Sequence, residues 1–268
     1  MPLFKLSRVF GAICSVCVLY AAVGPAFSQS GALQQVAEVS VRFAARTTDR
    51  AYNSNHSKAS ALYLTPDIYL VDRWISPGFE AKFTARDAAQ RAYATSKFDT
   101  NLLLGTVEIG PRFGGTSVLA VWEPTYSYQP RTHREYIFFN EGGVKFKRAM
   151  RFGILGGRMV PASLKLAYVW AHPDGFNKAR LVADAEVTNQ ISPRLRIIWI
   201  PEIGFARYEN FFGKQRFDAV ASLRMTPRYD FGGGISAALS LFVSAAASTH
   251  SQKSGVDFEI RPELKWRM

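Results

Sequence analysis

The sequence predicts an all-β protein: a transmembrane antiparallel up-and-down β-barrel of about twelve strands, preceded by a cleaved signal peptide. Three observations predict it. Apolar and polar side chains alternate with a period of two in twelve segments of mostly about 9 to 14 residues. A strand tilted through a bilayer needs about 9–11 residues, whereas strands of globular proteins most often have about 5–6. No helical period of useful length follows the N-terminal segment, and a mean hydropathy of -0.04 excludes a polytopic helical membrane protein.

Residues 1–28 have the features of a secretory signal peptide. Lys5 and Arg8 precede an apolar run that is too short to span a bilayer comfortably, and Ala26 and Ser28 supply the small residues at the −3 and −1 positions. An uncleaved membrane anchor is the alternative. Cleavage after Ser28 leaves residues 29–268 as the barrel and lowers the formal net charge from +12 to +10, because Lys5 and Arg8 are lost.

Both cysteines, Cys14 and Cys17, lie in this predicted signal peptide. The mature chain is therefore expected to have no thiol. This excludes a disulfide framework, a cysteine metal site and cysteine catalysis for the exported protein.

The alternation is unbroken in the closing segment, 256–268. Val256, every second residue after it and the last residue, Met268, are apolar, whereas Asp257 and its parity are all charged. The other strands are predicted from the same alternation, which in some segments is less regular than in the closing one. The twelve predicted segments are 37–45, 62–70, 79–86, 98–111, 118–128, 135–147, 164–170, 179–187, 195–205, 217–225, 235–243 and 256–268.

Backbone hydrogen bonding requires these strands to close on one another. Lipid offers no partner to N–H and C=O groups, so strands cross a membrane only as a closed barrel. An even number of strands brings both termini to one end. Connections at that end are expected to be short, as in 113–116, and those at the other end to be longer and polar, as in 47–57 and 209–215.

Prolines recur inside the predicted strands on the apolar parity. A proline cannot donate to a sheet ladder and is usually confined to edges, strand ends or bulges. Those near a strand end are easily tolerated, but Pro201 falls in mid-strand, where we expect a bulge. The six prolines are Pro66, Pro111, Pro124, Pro201, Pro227 and Pro262.

The predicted signal, the cysteine-free dyad repeats and the terminal strand together resemble a Gram-negative outer-membrane β-barrel. In that class the last strand is read by the barrel-assembly machinery, and its final residue is usually aromatic. Here Met268 is last and Trp266 lies two residues before it, so both form the expected assembly signal. The resemblance implies Sec export, an outer-membrane location, contact with membrane lipid and lipopolysaccharide, and a monomer.

The inward parity carries charges of both signs in nearly equal number, which has two interpretations. A balanced lining is typical of a ladder of salt bridges in a narrow interior, whereas a pore lining that attracts acidic sugars should have a basic excess. Twelve strands lie between filled eight-stranded barrels and open porins. The predicted lumen-lining residues are Glu38, Arg42, Asp67, Glu80, Lys82, Glu108, Arg112, Glu123, Lys145, Arg180, Asp184, Glu202, Asp218, Arg224, Glu259, Arg261 and Glu263.

The histidines offer a different chemistry. His56, His133, His172 and His250 all fall in predicted outer-rim loops. Ser54 and Ser57 are close in sequence to His56, and Ser248 and Ser251 to His250. A histidine beside a serine is the minimum for nucleophilic hydrolysis, but polar loop residues are the simpler explanation. We predict no catalytic residues in the first instance, no metal site, since no spacing resembles zinc ligands, and no cofactor. Basic residues interleaved with acids predict no nucleic-acid partner.

Three functions fit these features. The first is a narrow channel or transport-associated pore for small solutes or an extended oligosaccharide, with a further role as an accessory to surface polysaccharide export. The second is a rim-active hydrolase acting on lipid or lipopolysaccharide. The third is a structural barrel with a closed lumen.

Overall fold

A computed structural model describes residues 33–52, 58–92, 99–129, 135–152, 158–172, 174–211, 213–250 and 253–268. The predicted signal peptide, His56 and His133 lie outside these residues. The strands are β1 (Gln34–Tyr52), β2 (Lys58–Ile75), β3 (Phe79–Ala92), β4 (Thr100–Phe113), β5 (Thr116–Tyr128), β6 (Glu135–Arg151), β7 (Met159–His172), β8 (Lys178–Ala185), β9 (Val187–Gln190), β10 (Leu195–Phe211), β11 (Lys214–Gly232), β12 (Ile235–Ser248) and β13 (Gly255–Arg267), with a 3₁₀ helix at Asp174–Phe176.

The strands form one closed antiparallel sheet. The order runs from β11 through β12, β13 and β1 to β10, and β10 pairs with β11 again. The last strand meets the first in a long ladder that places Trp266 opposite Val39. β8 and β9 both pair with β10, so together they fill one position in the wall and the barrel has twelve. The predicted fold class is confirmed.

Both chain ends lie at one end of the barrel, here called the terminal end, and the opposite end is called the far end. Met268 donates its N–H to the carbonyl of Ala37 at 2.9 Å. Connections at the terminal end include a two-residue turn in which Gly114 and Gly115 both have positive φ, as tight hairpins require.

Several strands are longer than their apolar pattern. β1 runs on to Tyr52, into a predicted loop, and β10 and β11 leave only residues 212–213 of the predicted loop 209–215. Ladder hydrogen bonds need only backbone groups, so pairing continues where the side chains become polar. The predicted boundaries of these two far-end loops were therefore wrong.

The outer face of the wall is apolar and exposed. On the last strand Val256 is 50% exposed and Phe258 42%, whereas Asp257 between them is 1% exposed. The same alternation exposes Val41, Phe43, Ile68, Leu70, Leu164, Leu166, Ile203, Phe205, Leu223, Leu239 and Val243 on other strands. A soluble protein does not expose such a continuous apolar belt, so this face is suited to lipid. No helix among the described residues is long and apolar enough to cross a membrane.

Each in-strand proline interrupts one ladder and leaves the other intact. Pro66, for example, pairs with Phe43 of β1, but its ladder with β3 lacks the pairs between Leu64 and Asp67. The register is the same on both sides of the gap, so no residue is inserted. The same two-pair gap accompanies Pro111, Pro124, Pro201, Pro227 and Pro262. The missing donor thus costs local pairing without shifting the strand.

Pro201 shows the strongest effect and is not a bulge, contrary to expectation. Its ladder with β11 is continuous, while on the other side pairing jumps from Asp184 opposite Glu202 to Val187 opposite Trp199. Glu186 in this gap donates its N–H to the carbonyl of Pro161 on β7 at 2.8 Å. Because neither flanking proline has an N–H, the wall strand is split here into β8 and β9.

Replacing Pro201 with alanine is expected to restore one ladder hydrogen bond in the membrane-embedded part of the wall. Pro111→Ala is the matched control because Pro111 lies near a strand end, where water can bind the freed carbonyl. Both variants lose the same proline rigidity, so their difference reports the hydrogen bond. We expect Pro201→Ala to be more stable than Pro111→Ala by about 1 kcal/mol in urea unfolding from vesicles. Equal stabilities would contradict this explanation of the split strand.

Candidate functional site

All seventeen predicted lumen-lining residues lie in strands on the parity opposite the apolar belt. Ion pairs identify this parity as the inside of the barrel. Lys147 on β6 contacts Glu80 on β3, with two strands between them, and Lys145 on β6 lies 3.0 Å from Glu108 on β4. Side chains can span such gaps only across the concave face of a closed sheet. Their role in solute passage stays a prediction.

Four interior carboxylates are each shared by two cations. Asp67 contacts Arg42 at 2.5 Å and Arg86 at 2.7 Å, and its side chain is 0% exposed. Glu38, Glu80 and Glu141 follow the same pattern with the pairs Lys265 and Arg267, Lys147 and Arg73, and Lys165 and Arg180. Each group of three carries one positive charge in excess. The predicted ladder of salt bridges is present, but it is basic.

The sequence had suggested nearly equal numbers of inward acidic and basic residues. The structure instead has an excess of inward basic residues. The expected set omitted several inward cations at or near the ends of the predicted strands. It also omitted inward acids, among them Asp257 and Glu141, the second of which follows the alternation but is next to Gly142 and Gly143. The omitted cations are Arg46, Arg73, Lys178, Arg228 and Arg267. Arg46, Arg73, Lys178 and Arg228 lie outside the predicted segments, and strand extension beyond the apolar pattern brings them onto the inner face. Arg267 lies within the predicted closing segment and follows its alternation.

The Asp67 group also holds an aromatic ring. The guanidinium of Arg42 lies 4.1 Å from the centre of the Tyr69 ring. Arg86 donates to Asp67 from both Nε and Nη2, at 3.1 and 2.7 Å. Since the carboxylate is shielded from water, these charge-assisted bonds are its only compensation for burial among the described residues.

A cavity of about 270 Å³ lies in the middle of the interior. Not all of its charges are neutralised: Glu123, Asp184 and Glu202 form no ion pair with any described residue. Asp184 accepts a hydrogen bond from Ser163 at 2.5 Å. Asp184 and Glu202 are also direct cross-strand neighbours, an arrangement that costs stability because like charges repel. The lining is Tyr69, Lys82, Thr84, Thr106, Glu108, Glu123, Lys145, Lys165, Arg180, Val182, Asp184 and Glu202.

One row of directly opposed inward residues is polar in every strand it crosses. The row starts at the terminal end of β4 and takes one residue from each following strand position of the wall. Because the strands are tilted relative to the barrel axis, the row ends in the half of β1 that is nearer the far end. Two of its members, Asp184 and Glu202, line the cavity. The row consists of Arg112, Ser117, Lys147, Ser163, Asp184, Glu202, Ser222, Ser244, Asp257 and Thr48. Hydrogen-bonding groups thus follow one path along most of the interior.

The terminal end carries a concentration of basic residues, here called the basic mouth. Its members lie at the terminal ends of the strands or in the turns that join them: Arg73, Arg112, Lys147, Arg151, Arg158, Arg194, Arg196, Arg228, Lys265 and Arg267. Fewer acids lie at the same end: Glu38, Asp72, Glu80, Glu186, Asp230 and Glu263. The net charge of this mouth is positive.

The far end is partly filled by rings. Phe211 is 3% exposed and Tyr208 7%, and the 3₁₀ helix adds Phe176 to them. Two cations lie on these rings: Lys178, 5.0 Å from the Tyr208 ring centre, and Arg216, 4.2 Å from it. Arg216 also pairs with Asp218. This aromatic cluster narrows one side of the far mouth.

The described histidines give no catalytic geometry. His172 is exposed. The ring of His250 packs on Phe211 with the ring centres 5.5 Å apart, and its Nδ1 has no hydrogen bond among the described residues. Ser248 accepts a hydrogen bond from the backbone N–H of His250, not from the imidazole. Among the described side chains no group of three or more potential ligands could hold a metal ion.

The two residues of the expected assembly signal lie on the outer surface at the terminal end. Trp266 is 36% exposed and Met268 78%. Their recognition by an assembly machinery stays a prediction.

Comparison with known proteins identifies the fold. No family model and no curated protein matches the chain. Among solved structures it is similar to an outer-membrane channel from Pseudomonas putida F1, with a TM-score of 0.56 and 11% identity, over 90% of this chain and 98% of that one. The match spans nearly the whole of both chains, so the fold is that of outer-membrane β-barrels.

Two porins are also similar, at lower scores. The NanC porin has a TM-score of 0.49 and 9% identity, covering 86% of this chain and 100% of that one. The KdgM porin, solved with disordered oligogalacturonate, has a TM-score of 0.48 and 7% identity, covering 85% and 98%.

Removal of the Asp67 carboxylate is expected to destabilise the barrel. Asp67→Asn leaves Arg42 and Arg86 side by side without an anion, and breaking such a buried group costs about 3–5 kcal/mol. The control is Glu263→Gln, because Glu263 is 3.8 Å from Arg228, beyond hydrogen-bond distance. We expect its effect to stay within about 1 kcal/mol. Urea unfolding from vesicles measures both; similar losses would contradict the special role of the shared carboxylate.

Proposed function

We propose that the protein is a narrow outer-membrane channel for small hydrophilic solutes. The observation that carries this proposal is the interior cavity, whose carboxylates Glu123, Asp184 and Glu202 lack ion-pair partners among the described residues. Charged groups are stable in such a place only if water reaches them. A closed structural barrel would be expected to pair or replace them.

The mechanism is passive diffusion along a hydrated path. The polar row supplies hydroxyl and charged groups that exchange hydrogen bonds with water or solute at successive levels. The shared carboxylates hold long basic side chains against the wall, which keeps them out of the path. A path this narrow admits ions, small polar molecules or an extended chain such as an oligosaccharide. An accessory role in polysaccharide export stays a prediction from size alone.

The proposal includes an orientation. The terminal end lies in the periplasm and the far end outside the cell, since both termini of such a barrel normally remain on the side from which it was inserted. The apolar belt contacts membrane lipid, and the loops at the far end meet lipopolysaccharide. The last strand, with Trp266 and Met268, is the segment that the assembly machinery recognises.

Single-channel recording in planar bilayers tests the proposal. We expect discrete conductance steps from the wild-type protein. Thr106→Trp places a large ring in the cavity that Thr106 lines, and we expect it to lower conductance about severalfold because the path is narrow. Val107→Trp is the matched control, since the adjacent side chain is on the lipid-facing parity and should leave conductance unchanged.

A heat-modifiability gel confirms that each variant has folded before recording. Folded wild-type protein that stays silent across many insertions would overturn the channel. Equal conductance in the two tryptophan variants would mean that the current does not pass through the cavity.

A further inference from the structure

We infer that the basic mouth is an anion-collecting entrance, which makes the channel prefer small solutes that carry a carboxylate or phosphate. This inference rests on the proposed channel function and names its solute class. It depends on charges at the terminal end that the ion pairs do not cancel.

The ion pairs at this end contain fewer carboxylates than cations. Glu38 serves both Lys265, at 2.7 Å, and Arg267, at 3.0 Å. Glu80 likewise serves Lys147 and Arg73. One carboxylate neutralises one cation, so each group leaves a positive charge facing the lumen.

Several further arginines of the basic mouth have no acidic partner among the described residues. Two of them lie on the inner face: Arg112, one residue before the end of β4, and Arg196, the second residue of β10. Arg196 is directly opposite Arg228, a like-charge pair that costs stability. Arg228 has one acid nearby, Glu263, at 3.8 Å, so the two arginines and this carboxylate together still carry one positive charge in excess. Such repulsion is reduced when an anion lies between the two guanidinium groups.

The chemistry of arginine favours oxyanions. A guanidinium presents a planar fork that binds carboxylate or phosphate oxygens in pairs. Low-dielectric walls with one sign of charge raise the local concentration of the opposite ion at the entrance. The inward direction of Arg112 and Arg196 makes this a solute site. A site for anionic lipid headgroups would need the outward parity, on which Arg148 lies at the same end.

The described cations of the aromatic cluster at the far mouth are already engaged. Arg216 there is paired with Asp218, and Lys178 lies against the Tyr208 ring. Arg112 and Arg196 are thus inward cations at the terminal end that lack an acidic partner among the described residues, and we expect anions to be collected there.

Reversal potentials across a potassium chloride gradient measure the preference. We expect the chloride-to-potassium permeability ratio of the wild-type channel to exceed one at about 0.1 M salt and to approach one near 1 M, where the screening length falls from about 10 to about 3 Å. Arg112→Gln and Arg196→Gln should each lower the ratio, and the double variant by about twofold. Arg148→Gln removes the same charge from the outer face and should not change the ratio.

Each outcome decides something. If the channel conducts but prefers potassium, or if the double variant keeps the wild-type chloride-to-potassium permeability ratio, the inference is overturned while the proposed channel function is still supported. An equal effect of Arg148→Gln would mean that general surface charge, or bound anionic lipid, sets the ratio, and would also overturn it. Folded protein that never conducts overturns the proposed channel and this inference together.

Discussion

The hydrogen-bonding demand of the backbone in lipid is the constraint on which this structure depends. A wall of twelve strands meets this demand by pairing β13 with β1, so that the sheet has no edge strands with unpaired backbone groups. Closure leaves side chains free to face two solvents: Val256 and its parity meet hydrocarbon, and Asp257 and its parity meet the interior. Everything proposed about function follows from what the closed wall encloses.

The wall does not satisfy this demand completely. Six outward prolines each remove a backbone donor and leave two residue pairs missing from one ladder. Opposite Pro201 the gap also faces Pro161 of β7, and the strand between these two prolines is split into β8 and β9. The register survives every gap, because alternating side-chain burial on both sides holds it. The interior compensates in the opposite way: carboxylates such as Asp67 and Glu141 tie non-adjacent strands together through two cations each. Backbone pairing is weakened in the wall, while ion pairs along its inner face link neighbouring and next-neighbouring strands.

Much of this fold could be predicted because side-chain parity is a local property of a strand. The alternation identified all twelve wall positions and the inner face of every candidate from Glu38 to Glu263. Strand ends could not be predicted, since ladder bonds continue into polar residues, and the cations found there changed the interior from balanced to basic. Pairings such as Lys147 with Glu80 depend on how far each strand is staggered, which no single segment encodes. Whether water fills the centre depends on the side-chain conformations of many strands at once.

The absence of cysteine from residues 33–268 allows a direct test of the two-solvent account. Single cysteines placed at successive positions from 256 to 267, in protein assembled in vesicles, can be probed with a charged, membrane-impermeant thiol reagent. The account predicts that the odd positions react through a water-filled lumen and that the even positions, which face lipid, do not. Lack of reaction at both parities would show a closed, dry interior, and reaction at the even positions would contradict the membrane barrel itself.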